Sequence, residues 1–305
     1  MNERPVVAGI VGALLIAFSA ILVRLADVAP STAAVFRCAY ALPVLGALAW
    51  WERRRYGPAV AGDRRLVVVA GFFFAADLIL WHYAIRDVGA GLATVLGNLQ
   101  VVVVPLVAWA VLSERPGSRI LVAMPLVLMG VVLISGVIEA GAYGRDPTRG
   151  VIFGAFTGVA YAGFILLLRR GNRDDRRPAG PLFDATAVAV VISVVAGVVI
   201  GDVDLVPAWP AHAWLVCLAL TSQVLGWLLI SISLPRLPAA LTSVLLCIQP
   251  VGSVLLGVVL LGESPSLLQF GGVAFILAGL LAVARRAPID AESSPERGVP
   301  ERAPA

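Results

Sequence analysis

A chain of 305 residues that is 60% hydrophobic and only 14% charged, with a mean hydropathy of +0.94, lies outside the range of soluble globular domains and belongs in a membrane. Its net charge of +4 comes from 23 arginines against 19 acids, with no lysine, and the loop bias of a membrane protein accounts for it better than a nucleic-acid partner does. Cys38, Cys217 and Cys247 all lie in apolar runs, where packed free thiols are expected and a disulfide framework is not.

A hydrocarbon core about 30 Å thick takes roughly 20 apolar residues of helix. The sequence supplies that length ten times, at 5–24, 31–51, 66–86, 90–112, 119–138, 150–168, 181–201, 211–233, 238–261 and 267–284. Polar and turn-forming breaks fall at Trp51 to Arg55, Gly141 to Arg149, Arg169 to Gly180 and Asp202 to Pro210. The first span, behind Met1-Asn2-Glu3-Arg4, reads as a retained anchor and not a signal peptide, because of its length and the spans that follow. Residues 287–305 have too little apolar surface to fold and are expected to form a disordered cytoplasmic tail.

The fourth span and the turn after it occur twice. Val88 to Gly117 aligns without gaps on Leu237 to Ser266, with ten of thirty positions identical, among them Gln100 on Gln249, Glu114 on Glu263 and Pro116 on Pro265. Apolar composition does not generate polar identities, so the chain divides into a first repeat over 1–138, an external connection over 139–149 and a second repeat over 150–286. Basic residues accumulate on the cytoplasmic side. With the amino terminus inside, eighteen arginines fall inside and four outside (Arg24, Arg86, Arg145 and Arg149), while Arg37 lies within a span. Both termini are therefore expected in the cytoplasm. Five spans per half force the halves to enter from opposite sides. The expected fold is an all-α integral membrane protein of ten transmembrane helices in two inverted five-helix repeats, an architecture suited to alternating access.

These features resemble the drug/metabolite transporter superfamily, in particular its ten-span members built from two EamA domains, over nearly all of residues 5–285. The resemblance rests on the two-half plan, the short connection from Tyr83-Ala84-Ile85 to Ala90, and the Glu-x-Pro hairpins at Glu114 and Glu263. Repeat-equivalent Gly130 and Gly279 and the in-span Arg37 complete it. The halves differ in one respect: Pro250 directly follows Gln249, whereas Gln100 is followed by Val101 and a proline comes only at Pro105. The resemblance implies transport of small solutes and an export direction. It leaves the solute unnamed.

Ionisable groups inside spans are costly and mark candidate pathway residues. Arg37 lies about 9 Å and Asp77 about 14 Å from the outer ends of their spans at 1.5 Å per residue. They could pair with each other, or one could hold a charged group of the solute; Arg37 could instead snorkel to the outer headgroups. Asp77 is the carboxylate placed well inside a span, so proton coupling would most naturally use it. Asp77-x-x-x-Trp81 in the third span corresponds to Gln223-x-x-x-Trp227 in the eighth, each putting a polar group and an indole on one helix face. Such faces could clasp an organic solute, or the indoles could be interfacial and lipid-facing. Asn98, Gln100 and Gln249 either join helices or face a cavity. Ser19, Thr157 and Tyr161 read as packing residues, His82 as an incidental residue near the outer interface, and Asp184 as solvated or paired with the basic 169–177 loop. The hairpin set Glu114, Pro116, Glu263 and Pro265 reads as structural, each carboxylate favouring the start of the helix that follows it.

With only two histidines, and no metal-spaced cluster, nucleophile elbow or nucleotide loop, a membrane enzyme or an ATP-driven pump is disfavoured, and no cofactor or metal is expected. The sequence points to a secondary active transporter in the inner (cytoplasmic) membrane, most plausibly an exporter of a small organic metabolite such as an amino acid or amine. Proton exchange or the solute's own gradient would drive it. An uptake permease or facilitator for the same solute class is the alternative reading. The expected partners are the solute, the bilayer and a second copy in a homodimer.

Overall fold

The computed structural model describes residues 4–57, 64–100, 102–103, 106, 118–135, 138–171, 176–233 and 248–284. Regular structure among them is entirely helical: α1 (Arg4–Ala26), α2 (Pro30–Tyr56), α3 (Arg64–Val88), α4 (Ala90–Gly97), α5 (Ser118–Ile134), α6 (Pro147–Gly171), α7 (Ala179–Ile200), α8 (Trp209–Leu218), a π-helix (Ala219–Gly226), α9 (Trp227–Ser233), α10 (Ile248–Leu261) and α11 (Leu267–Ala284). Six helical stretches among the described residues are long and apolar enough to cross a bilayer: Val6–Ala26, Pro30–Tyr56, Arg64–Val88, Pro147–Leu168, Ala179–Ile200 and Trp209–Ile232. Leu121–Ile134, Ile248–Leu261 and Leu267–Ala282 are shorter apolar helices. Exposed valines at 191, 195, 198 and 199 share one side of α7, a surface that water would not tolerate and lipid tails accept.

The expected span 90–112 is interrupted. Past Gly97 the backbone tightens, with Leu99 N–H bonded to the Leu96 carbonyl and Val102 N–H to that of Leu99. The expected span 211–233 is one rod, α8 to α9, passing through eight residues of π-helix.

α2 packs along α7, α4 along α10 and α5 along α11; α3 packs on α6, and α1 on the α8-to-α9 rod. Two carboxylates set the direction of the α2–α7 pair. Glu52, near the end of α2, accepts from the N–H groups of Ala179 (3.0 Å) and Gly180 (3.2 Å), which open α7. Asp202, just past α7, accepts from Ser31 N–H (3.5 Å), which opens α2, and from the Tyr83 hydroxyl (2.6 Å). The two helices are therefore antiparallel, and each is capped by an acid near the other's end.

Glu263 repeats the device and corrects the sequence expectation. Its carboxylate accepts from Ala90 N–H (2.6 Å) and Gly91 N–H (3.1 Å), so it caps α4 in the other repeat and not α11, which follows it. The start of α11 is already satisfied by a capping box: Ser266 N–H donates to Gln269 Oε1 (3.0 Å) and Gln269 N–H to Ser266 Oγ (3.1 Å). Gly89, at φ +93°, leaves room for the carboxylate, since a Cβ there would stand 2.9 Å from Glu263 Oε1. Pro265 lies in the irregular turn between α10 and α11, while Glu114, Pro116, Pro105 and Cys247 lie outside the described residues. Cys38 and Cys217 are free thiols.

One further expectation changes: His82 is buried and hydrogen-bonded through Nδ1 to the Pro30 carbonyl (3.1 Å), tying α3 to the start of α2, so it is not an incidental residue. Asp184, with a side chain 37% exposed, faces Arg64 at the start of α3 at 3.7 Å. Gly130 and Gly272 bring α5 and α11 into backbone contact, a Cβ on Gly130 falling 2.6 Å from the Gly272 carbonyl.

Replacing a buried carboxylate that caps two N–H groups strands both of them, at a cost of about 1–3 kcal/mol. Glu263→Ala is expected to lower the thermal midpoint of the detergent-solubilised protein clearly. Asp184→Asn, which breaks only an exposed pair, is expected to shift it by less than the uncertainty of the measurement.

Candidate functional site

α3 brings Phe74, Asp77, Leu78 and Trp81 onto one face, at spacings of three and four residues that stack side chains along a helix. That face lines a cavity closed by Ile16 and Ser19 of α1, Arg37 of α2, Thr94, Gly97 and Asn98 at the end of α4, Thr157 and Tyr161 of α6, Trp227 of α9 and Gln249 of α10. Both repeats contribute. The cavity offers about 60 Å³ to the centres of water-sized spheres, a small volume for a ligand site.

Aromatic rings form much of its wall. Trp227 meets Phe164, Tyr161 and Phe74 edge to face, with ring centroids 5.2, 5.9 and 6.3 Å apart, and Phe74 stacks on Phe164 at 4.3 Å. Trp81 is 9% and Trp227 6% exposed, so neither indole is a lipid-facing or interfacial belt residue.

Arg37 does not snorkel: it is 3% exposed. Its Nε donates to Gln223 Oε1 (3.0 Å), and its guanidinium carbon lies 5.6 Å from the centre of the Trp81 ring. Gln223 is fully buried behind Arg37, and its own amide nitrogen donates to Thr186 Oγ1 at 3.4 Å. It is held by the π-helix, whose wider turn is anchored where Ser222 Oγ donates to the Leu15 carbonyl (2.8 Å). The correspondence between Asp77-x-x-x-Trp81 and Gln223-x-x-x-Trp227 thus takes an unequal form: three of the four residues line the cavity, and Gln223 orients a fourth lining residue, Arg37.

Arg37 and Asp77 line the same cavity without forming a salt bridge. The buried acids separate on this point. Glu52 and Glu263 accept helix N–H groups, and Asp87 accepts from Arg149 Nε (2.7 Å) and Nη2 (2.9 Å) and from Arg86 Nε (3.1 Å). Asp77, equally buried, has no hydrogen-bond or ion-pair partner among the described residues. Arg37 Nη1, Gln249 Nε2 and Thr157 Oγ1, on other walls of the same cavity, are also buried without a partner.

The remaining polar candidates have local partners. Asn98 Nδ2 donates to the Thr94 carbonyl (2.9 Å), Thr94 Oγ1 to that of Ala90 (2.9 Å) and Ser19 Oγ to that of Ile16 (2.5 Å). Gln100 is buried against the Tyr161 hydroxyl and does not line the cavity. Phe74, Ile16 and Leu78 were not singled out from the sequence, although Phe74 lies three residues before Asp77 on the same helical face. Thr157 and Tyr161, read there as packing, belong to the wall. Among the described residues no group of three His, Cys, Asp or Glu side chains could hold a metal ion.

The chain resembles transporters along most of its length. It is 23% identical over 229 residues to the uncharacterized transporter YwfM of Bacillus subtilis (strain 168), covering 72% of each chain. It is 27% identical over 220 residues to an uncharacterized transporter of Archaeoglobus fulgidus, covering 72% of this chain and 76% of the relative. A solved structure, titled only as the crystal structure of a protein, shares the fold with a TM-score of 0.60 at 17% identity, over 93% of this chain and 99% of that one. The EamA-like transporter family model matches twice, at residues 4–136 and 148–285, and this chain, a multi-pass membrane protein with two EamA repeats, belongs to that family.

Proposed function

We propose that the protein is a secondary active transporter that exports a small organic metabolite by alternating access between two inverted repeats of five spans. The observation that carries this reading is the cavity: both repeats build it, aromatic rings wall it, and three of its lining residues, Arg37, Thr157 and Gln249, carry a buried polar atom without a partner. Buried polar atoms left unpaired cost free energy that a bound solute would recover. The helix directions support inversion, since α2 with α7 and α4 with α10 are repeat-equivalent and antiparallel. The arginine bias supports cytoplasmic termini and an inner-membrane location.

Alternating access would then run through the carboxylate caps. Glu52 ties α2 to α7 at one end of the pair and Asp202 ties them at the other. An inward-open state requires release at the cytoplasmic end, and an outward-open state requires release at the opposite end. Asp77, with Arg37, Cys38 and Tyr161 as its charged and titratable neighbours, is the group placed to exchange a proton as the solute moves.

Three outcomes follow. Proteoliposomes loaded with a mixed pool of amino acids, amines and nucleobases should release one chemical class, faster under a pH gradient; selective inward movement alone would make the protein an uptake permease. Asp77→Asn should abolish the acceleration by the gradient, and a variant that keeps it removes Asp77 from coupling. Glu52→Gln and Asp202→Asn should shift cysteine-labelling accessibility of the cavity in opposite directions across the membrane. If both shift it the same way, the caps are static supports.

A further inference from the structure

We infer that the end of α2 bearing Trp50 and Arg54 binds an anionic phospholipid, its phosphate on Arg54 and its acyl chains along the exposed side of the helix. α2 has two sides. Ala41, Leu45 and Glu52 are buried, and a Cβ on Gly46 would stand 3.1 Å from the Phe183 ring of α7. Pro43, Ala47, Trp50 and Arg54, four, three and four residues apart, are exposed. At 3.6 residues per turn they lie about half a turn round from Glu52, on the side left to lipid.

Arginines beyond the end of a span are common to membrane proteins. Two features here go further. The acid among them is turned away: Glu52 accepts from the N–H groups of Ala179 and Gly180, and Arg53, Arg54 and Arg55 have no ion-pair partner among the described residues. Arg54 also does not extend toward water. Its guanidinium carbon lies 4.1 Å from the centre of the Trp50 ring, and Trp50 is one turn deeper in the span. One turn is about 6 Å. An arginine at a span end ordinarily reaches away from hydrocarbon; this one is drawn back over an indole that is itself 56% exposed. The ring covers one face of the guanidinium and leaves its N–H edges for a phosphate, the anion its planar fork suits.

The surroundings select the ligand. A soluble phosphate would use Arg54 and none of the apolar surface beside it, where Trp51 is 53% exposed and the short side chains of Ala47 and Pro43 leave room beneath the Trp50 indole. A phospholipid uses both. A zwitterionic lipid brings an ammonium that finds no free acid, because Glu52 is committed and Asp184 pairs with Arg64. Arg86 is the contrasting case. It also lies over a ring, Tyr83 at 4.5 Å, but Asp87 neutralises it at 3.1 Å, so no charge is left for a headgroup.

The test measures lipid association and needs no transported solute, so its outcome is independent of the transport reading. Spin-labelled phosphatidylglycerol and phosphatidylcholine of equal chain length are compared by electron paramagnetic resonance on the full chain in phosphatidylcholine bilayers. The motionally restricted component should favour phosphatidylglycerol by about fivefold, the effect of one arginine at a membrane surface. Arg54→Gln and Trp50→Leu should each reduce that preference at least about twofold. Arg64→Gln, which removes a charge at the start of α3 away from the indole, should leave it unchanged. Trp50→Leu keeps every charge, so its effect separates a built site from diffuse attraction. All three side chains are exposed, and an unchanged thermal midpoint checks that each variant is folded. No preference in the unaltered protein, a full preference in Trp50→Leu or Arg54→Gln, or an equal loss in Arg64→Gln overturns the inference. Displacement of the lipid by millimolar glycerol 3-phosphate also overturns it, and assigns Arg54 to a soluble phosphate.

Discussion

A helix that begins inside or at the edge of a bilayer presents N–H groups that no water can reach, and something in the protein must accept from them. In this chain carboxylates from the opposite repeat do so. Glu52 closes the start of α7, Asp202 the start of α2 and Glu263 the start of α4. Each acid stands at or just past the end of one helix, where its own backbone offers no free N–H, and reaches the helix that starts beside it. The positive end of that helix's dipole adds to the attraction. The result is a scaffold in which the two halves hold each other by their helix ends.

That division of labour explains why the cavity can keep unsatisfied groups at all. A protein that met every backbone demand with local side chains would have little reason to tolerate an orphan carboxylate nearby. Here Glu52, Glu263 and Asp87 accept at both carboxylate oxygens and Asp202 at one, and Asp77 stands apart from them. Arg37 is commitment of a different sort: one bond to Gln223 fixes its direction and leaves donor capacity over. The π-helix is the local means. Its wider turn spaces Gln223 and Trp227 so that the amide reaches behind Arg37 while the indole reaches the cavity.

Much of this was legible in the sequence for a physical reason: polar residues are so expensive in apolar spans that the few present mark the places where structure or chemistry needs them. Arg37, Asp77, Asn98 and Gln249 stand out by that rule, Trp81 and Trp227 by their matched spacing from Asp77 and Gln223, and all six line one cavity. What the rule does not give is the partner. Glu263 was read as serving the next helix because sequence shows only neighbours along the chain, and the helix it caps starts at Ala90, in the other repeat. Glu52 was lost beside three arginines, since a charge at a span end looks solvated until the opposing helix start is seen. Gln223 was placed on a regular helical face, and its role behind Arg37 depends on a π-turn that periodicity at 3.6 residues does not register. Thr157 and Tyr161 are ordinary residues in an apolar helix, and only the cavity distinguishes them.

The scaffold and the site differ in symmetry, and the difference has a mechanical meaning. α2 and α7 are capped reciprocally, by Asp202 and Glu52, so the alternation proposed above would exchange one cap for its counterpart. The polar content of the cavity is not reciprocal: the position held by Asp77 in α3 is held by Gln223 in the second half, and Arg37 comes from α2 alone. A symmetric site would bind a polar solute equally well in two opposite orientations, and neither state of the protein would distinguish its ends. On the alternating-access cycle proposed above, an asymmetric pair of charges would give a solute one orientation in both states, and the scaffold would invert around a ligand that does not turn.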